Sequence, residues 1–340
     1  MAQIKESYNT ERLCLGEKLP LNTPLSVIID LSERCNFKCN YCFRSGEKNE
    51  SWGYTVKNEL MTMEVFEAVV QQISQFPQQI KVVSLSGHGE PLCNPNIAKM
   101  INLLRESTTV ERIEMHTNAS LLTEESIVKI QKAGLSRIVV SLQGLDSSKY
   151  EDVCGAKINW EKFYNNLKRL YENKEELEIH IKISEAALDK NQYSREKEKF
   201  YKLFGDIADS IFIEKVTPLW KNMKLDVDET KNKFGGDLGQ INYCPIVFYK
   251  IWVAPDGEIF PCTALPPPIS LGNVRDTSLQ KAWNSIERSN FLIEHLHSNR
   301  FNYPSCKDCF VPVNTVVSKK DIIDSFKDVI LRRLGEHNDD

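Results

Sequence analysis

Between residues 25 and 217, short runs rich in Val and Ile alternate with stretches whose apolar residues recur at helical spacing. This is the pattern of repeated strand–helix units that build a parallel sheet. Six strands are expected, at 25–31, 80–86, 110–116, 136–142, 177–183 and 210–216. Their near-continuous apolar character predicts burial on both faces. Helical patterns fall at 62–76, 96–106, 123–133, 160–171 and 194–204, with Thr62, Thr123 and Ser194 placed to cap them. Six such units predict a barrel-like sheet, closed or partly open, with its chemistry on the loops after the C-terminal ends of the strands.

After Thr217 the rhythm stops. The polar stretch 221–240, with Gly235, Gly236 and Gly239, reads as a linker or flexible loop. A hairpin is expected from 251–254 and 258–260 around Pro255-Asp256-Gly257, and helices over 278–290 and 321–334. The chain therefore divides into an N-terminal arm (1–24), a βα core (25–217), a linker (218–240), a small second domain (241–320) and a C-terminal helix with its tail (321–340).

The 340 residues suffice for two domains, or for one large domain with an appendage. No stretch approaches the roughly 18 consecutive apolar residues of a spanning helix, so no membrane partner is expected. With 43 basic and 47 acidic residues the net charge is −4, which argues against a surface built to neutralise nucleic-acid phosphates. The polar N-terminus lacks the basic-then-apolar order of a secretory signal, so a cytoplasmic location is expected. In a reducing compartment, ten cysteines at tight spacings read as metal ligands or reactive groups rather than disulfides.

Cys35, Cys39 and Cys42 lie within eight residues, directly after the first expected strand. Three soft ligands on one loop suit iron and sulfur. A structural zinc site would need a fourth ligand, and no Cys or His follows nearby; a zinc loop completed from afar, or unrelated buried thiols, are the alternatives. The Cys-x3-Cys-x2-Cys pattern after the first strand of a βα array resembles the radical S-adenosylmethionine (radical SAM) enzymes. The resemblance implies that Cys35, Cys39 and Cys42 hold three irons of a 4Fe-4S cluster whose fourth iron is chelated by S-adenosylmethionine. An electron passed into the sulfonium then releases a 5′-deoxyadenosyl radical that abstracts hydrogen from a C–H bond. Tyr41 is implied to lie near the adenine, or else to pack under the loop.

Ser86-Gly87-His88-Gly89-Glu90-Pro91 ends the second expected strand. It looks like the family's Gly-Gly-Glu-Pro segment, with His88 at the first glycine. Gly87, Gly89 and Glu90 are accordingly assigned to cofactor binding, the glycines for close approach and the carboxylate for the cofactor's ammonium. His116-Thr117-Asn118 and Ser141-Leu142-Gln143-Gly144 are similar to the family's Thr-Asn-Gly and Ser-Leu-Asp-Gly, which makes Asn118 and Ser141 candidate cofactor contacts or plain turn formers. Gln143 stands where the usual acid would be.

Cys244, Cys262, Cys306 and Cys309 form a second set that can close a complete site, for tetrahedral zinc or for a fully ligated iron–sulfur cluster. Gly257 with Cys262 in Gly-x4-Cys, then a distant Cys-x2-Cys, looks like the shortened SPASM domain called twitch. One auxiliary 4Fe-4S cluster is implied, giving two clusters in all. The fold class that follows is α/β: a partial (β/α)6 TIM-like barrel with a small C-terminal α+β domain of twitch type. Cys14 and Cys93 read as ordinary thiols. Cys154, before Gly155 in a loop on the active face, is either a buried thiol or a hydrogen-atom donor to a substrate radical.

Two reactions fit this machinery. In one, resembling aminocyclitol-dehydrogenase-type twitch enzymes, hydrogen leaves a carbon bearing a hydroxyl on a small polar metabolite, and the auxiliary cluster takes the second electron. In the other, a ribosomal peptide is crosslinked or epimerised. A leader-binding domain of roughly 80 residues would not fit in the 34 residues before Cys35, which favours the small molecule. A flavodoxin or ferredoxin is the implied electron donor. The reading of another class is a zinc-containing structural or interaction protein.

Overall fold

A computed structural model describes residues 1–8, 11–45, 55–216, 231–297, 302–307 and 309–336. Among them, nine strands form one open sheet: β1 (Gln3–Ile4), β2 (Ser26–Ile29), β3 (Val82–Ser84), β4 (Arg112–Thr117), β5 (Arg137–Leu142), β6 (Glu178–Ser184), β7 (Ser210–Glu214), β8 (Lys250–Val253) and β9 (Ile259–Phe260). Their order is β1-β7-β6-β5-β4-β3-β2-β8-β9, parallel throughout except for β9, which runs antiparallel to β8. The six expected strands are β2 to β7. The sheet does not close, since β1 and β9 are its edges.

The two faces differ in chemistry more than in burial. The outer face is apolar, whereas the inner face is mostly polar although Val139, His180, Ser210 and Trp252 on it are also buried. Val27, Ile29, Val83, Ile113, Met115, Ile138, Val140, Ile179, Ile181 and Ile183 point outward in register and are sealed under the helices. Helices Met63–Ile73, Ile97–Ser107, Glu124–Lys132, Trp160–Glu172 and Tyr193–Phe204 cover that face with Phe66, Val69, Met100, Leu104, Ile130, Leu167, Phe200 and Phe204. The opposite face alternates with it and carries polar and charged residues, among them Glu114, His116, Arg137, Ser141, His180, Lys182 and Glu214.

Thr62 and Thr123 cap their helices, and Thr123 does so in a reciprocal capping box with Ser126. Ser194 does not cap: that helix begins at Tyr193 behind Gln192. The pattern expected as one helix over 278–290 is broken in two, Leu279–Trp283 and Ile286–Leu296, because Ser285 caps a fresh start by accepting from Arg288 N. The last helix is Lys327–Glu336, entered through short turns. Residues 217–230 of the expected linker lie outside the described residues. The remainder, 231–240, is anchored: Asn232 is buried and donates to Val316 O at 3.0 Å, and Lys215 N donates to Lys233 O at 2.7 Å.

The expected hairpin forms around Gly257, whose φ of +89° suits glycine, and its first strand, β8, pairs in parallel with β2. The C-terminal segment thus continues the main sheet. Its own core gathers Val247, Phe248, Cys262, Phe291, Leu292, Leu296, Ile323, Ile330 and Leu334 together with Leu15 and Leu19 of the N-terminal arm. The arm is therefore strapped down at both ends, with β1 on β7 and Leu19 O accepting from Arg333 at 2.7 Å. No described helix is long and apolar enough to cross a membrane.

Arg288 is the buried tie of this second core. Its guanidinium lies 3.4 Å from the Trp283 ring centroid and donates to Trp283 O (3.0 Å) and Val247 O (3.1 Å), and burial lowers its pKa to about 9. Replacing it with Ala leaves two buried carbonyls without that donor. Arg288→Ala is expected to cost about 2–4 kcal/mol in urea unfolding, with Arg288→Lys recovering only part.

Candidate functional site

The exits of β2, β3, β4 and β5 converge at one end of the sheet. The cysteine loop leaves β2 there and is held from two sides. On one side, Lys38 N donates to Cys154 O at 3.0 Å and Asn40 N to Val153 O at 2.9 Å, so the carbonyl end of helix Ser147–Cys154 supports the loop. On the other, Asn36 accepts from Asn118 Nδ2 at 3.0 Å and donates to Ser120 Oγ at 2.7 Å.

None of the ten cysteines is in a disulfide. Burial raises the Cys35 thiol to about 11 and also raises Cys42. Cys39 is raised first by its hydrogen bond with the Cys154 thiol and then by burial. The thiols also disfavour one another's ionisation. Three enclosed thiols in this state fit a cationic centre that displaces their protons.

Gly87 and Gly89 are required by the protein itself, whatever else their backbone contacts. A Cβ on Gly87 would lie 1.9 Å from Asp30 Cγ, and one on Gly89 would lie 2.2 Å from Ser32 O and 2.4 Å from Arg34 O. Glu90 is likewise occupied by the protein. Its buried carboxylate accepts from Thr117 Oγ1 (2.5 Å), Asn118 N (2.7 Å) and Leu92 N (3.1 Å), while burial outweighs these donors and raises it to about 7. It locks the β3 exit to the β4 exit.

The other candidates sort by neighbour. Asn118 is committed to Asn36 and Ser120. Burial, then Cys39, raise the Tyr41 phenol well above its ordinary value, and Gln143 donates to it. Gln143 Oε1 is left buried without a hydrogen-bond partner. Ser141 faces the polar side of the sheet, opposite Lys182 in the ladder. Cys154 ends a helix instead of lying in a loop; it is 1% exposed, and its thiol donates to Tyr150 O at 2.8 Å. It stands behind Cys39, with which it shares a hydrogen bond.

Cys244, Cys262, Cys306 and Cys309 line a single apolar cavity together with Ile246, Ala264 and His295. Burial raises Cys262 well above the ordinary thiol, and the other three thiols add to the rise. Yet no three His, Cys, Asp or Glu among the described residues meet closely enough to hold a single metal ion. Tetrahedral zinc draws its thiolates to about 2.3 Å from one point. Four thiols spaced around a shared cavity fit the corners of a larger cluster.

The inner, polar face of the sheet, on β4 to β7, is a further group of ionisable residues that the sequence pattern did not reveal as a site. Burial pushes Glu214 up, but Lys182 (2.7 Å) and Lys233 (3.1 Å) outweigh it and hold the carboxyl near 2. Glu114 is held near 2 as well, with burial overcome by His116, Arg112 and Arg137. Burial lowers Lys250, while the Cys262 thiol and Glu114 oppose the shift, so this ammonium lies within electrostatic reach of both the second cysteine set and the polar face. Enclosure, then Lys182 and Lys233, lower His116; its ring opens to the surface with 37% exposure, 3.5 Å from Glu114.

Comparison with known proteins agrees with this geometry. The radical SAM superfamily model matches residues 29–181, and the SPASM model, an iron–sulfur cluster-binding domain, matches residues 244–310. The GTP 3′,8-cyclase of Trichodesmium erythraeum is 31% identical over 154 residues, 45% of each chain, and that of Aquifex aeolicus is 30% identical over 140 residues, 41% of this chain and 42% of that one. The chain thus spans less than half the length of these curated relatives. Among solved structures, BtrN in complex with AdoMet and 2-DOIA aligns with a TM-score of 0.54 at 16% identity, over 87% of this chain and 96% of that one. AdoMet-bound anSMEcpe aligns at 0.58 and 17% identity over 93% and 100%, and Streptococcus suis SuiB bound to its precursor peptide SuiA at 0.52 and 16% over 80% and 67%. At these identities the likeness is one of fold.

After anaerobic reconstitution, about eight irons per chain are expected, with Cys39→Ala and Cys262→Ala each retaining about half. Glu90→Gln turns an amide N–H toward donors that now meet a carboxylate. It is expected to cost about 1–3 kcal/mol in urea unfolding and to reduce iron at the first site while the second stays filled.

Proposed function

We propose that this chain, a radical SAM enzyme with a SPASM-type iron–sulfur domain, oxidises a small polar substrate held on the inner face of its sheet. Cys35, Cys39 and Cys42 would hold the cluster that reductively cleaves S-adenosylmethionine, and Cys244, Cys262, Cys306 and Cys309 would hold a second cluster able to accept an electron from the substrate. The observation that carries this reading is the line of ionisable groups on the inner face, His116, Glu114, Lys182, Glu214 and Lys233, continued toward Cys244 and Cys262 by Lys250.

Such a surface offers hydroxyls fixed hydrogen-bonding partners, and Lys250, without an ion-pair partner among the described residues, offers an anionic group a cation. His116 is the candidate base. Its lowered pKa leaves the imidazole neutral at pH 7, and Glu114 stabilises the imidazolium formed when it takes a hydroxyl proton. Lys182 and Lys233 oppose that protonation. Loss of a hydrogen atom, a proton and an electron from a carbinol carbon leaves a ketone, so the reaction is a dehydrogenation.

Gln143 Oε1 and Trp252 Nε1 are buried without hydrogen-bond partners, one at the β5 exit and one on β8. Both flank the same face and are candidates to contact the cofactor or the substrate. The bound AdoMet and 2-DOIA of BtrN and the bound peptide of SuiB mark the small-molecule and peptide alternatives on this fold.

With the reduced two-cluster protein, S-adenosylmethionine and a candidate polyol, 5′-deoxyadenosine and a product lighter by two hydrogens are expected. In heavy water, solvent deuterium on a product carbon at unchanged redox state would instead mark epimerisation. The acid limb of the rate profile should fall below pH 6.5, the ordinary histidine value, because a lowered pKa keeps the base neutral further into acid. His116→Gln should lower turnover at least about 100-fold and remove that limb.

A further inference from the structure

His88 stands where the similar family segment has glycine, and its side chain bridges the two cysteine loops. Its backbone N–H donates to Asp30 Oδ2 at 2.8 Å, and its Nδ1 lies 3.3 Å from the same oxygen, which fixes the ring to the β2 exit. Its Nε2 donates to the carbonyl of Thr263 at 3.1 Å, one residue beyond Cys262. The ring also packs edge-on against Phe43, the residue after Cys42, with centroids 5.7 Å apart, and against Trp252 at 4.7 Å. Trp252 in turn stacks on Phe260, two residues before Cys262, at 4.8 Å. The His88 and Asp30 side chains are 5% and 1% exposed.

We propose that His88 is a positioning residue that fixes the loop of Cys262 against the loop of Cys42 and so sets the separation of the two cluster sites. The inference rests on the two-cluster reading above. An imidazole has only two side-chain rotations, and here one nitrogen lies at the β2 exit while the other holds the Thr263 carbonyl, so the link is stiff as well as short. A glycine at this position would leave Thr263 O without its donor and would open a void between Phe43 and Trp252. Each loss loosens the Cys262 loop relative to the sheet.

The test uses the full chain, reconstituted anaerobically as wild type, His88→Gly and His88→Gln, with iron counted and both clusters reduced to their paramagnetic state. Dipolar broadening of the electron paramagnetic resonance signal reports the separation of the clusters without any turnover. The wild type should show one narrow separation. His88→Gly should show a broadened or displaced one at unchanged iron content, and His88→Gln, whose amide N–H can reach Thr263 O, should restore the narrow one. Loss of iron from the Cys262 site in His88→Gly that His88→Gln repairs also supports the proposal. A His88→Gly signal identical to the wild type overturns it and leaves the two-cluster reading standing, as does iron loss that His88→Gln fails to repair. A wild type that retains only about four irons overturns both.

Discussion

The constraint on which the site depends is the close passage of the chain leaving β3 past the chain leaving β2. At Gly87 and Gly89 no side-chain atom fits, because Asp30 and the carbonyls of Ser32 and Arg34 already occupy the space. That contact brings Glu90 under the β4 exit, where its carboxylate gathers Thr117, Asn118 and Leu92. Asn118 then reaches Asn36 and steadies the cysteine loop. The order of dependence runs from two missing side chains, through one buried acid, to the metal-binding loop.

A second division of labour separates the faces of the sheet. The outer face buries aliphatic residues against helices and supplies most of the folding drive. The inner face can therefore hold Glu114, Arg137, Lys182, Glu214 and Lys233, each with a neighbour of opposite charge within 4 Å. Residues from the C-terminal segment, Lys250 and Trp252, reach this face because β8 pairs with β2. The segment that carries the second cysteine set thus also contributes to the inner face of the main sheet.

Much of this was legible in the chain itself. The Cys-x3-Cys-x2-Cys loop and the later cysteines were found by spacing alone, and β2 to β7 by their Val and Ile runs. The polar inner face was hidden because those runs suggested burial on both sides; the period-two placement of Glu114 with His116, and of His180 with Lys182, was the available signal. β1 is two residues long and carries no pattern. Helix Ser147–Cys154 was missed because it buries only Tyr150, Val153 and Cys154, too few to mark an amphipathic stripe. Contacts between distant positions, such as His88 with Thr263 at 175 residues' separation, leave no local trace. Ala119 shows the converse: it adopts φ +58° where the similar motif has glycine, a conformation its Thr117 and Glu90 neighbours impose.

The helix end beneath the cysteine loop bears on how the centre is assembled. Amides of Lys38 and Asn40 are already engaged by Cys154 O and Val153 O, through bonds that involve neither iron nor sulfide. Part of the loop's shape is thus held by the polypeptide's own backbone, which lessens the chain entropy that ligation of a metal centre must overcome.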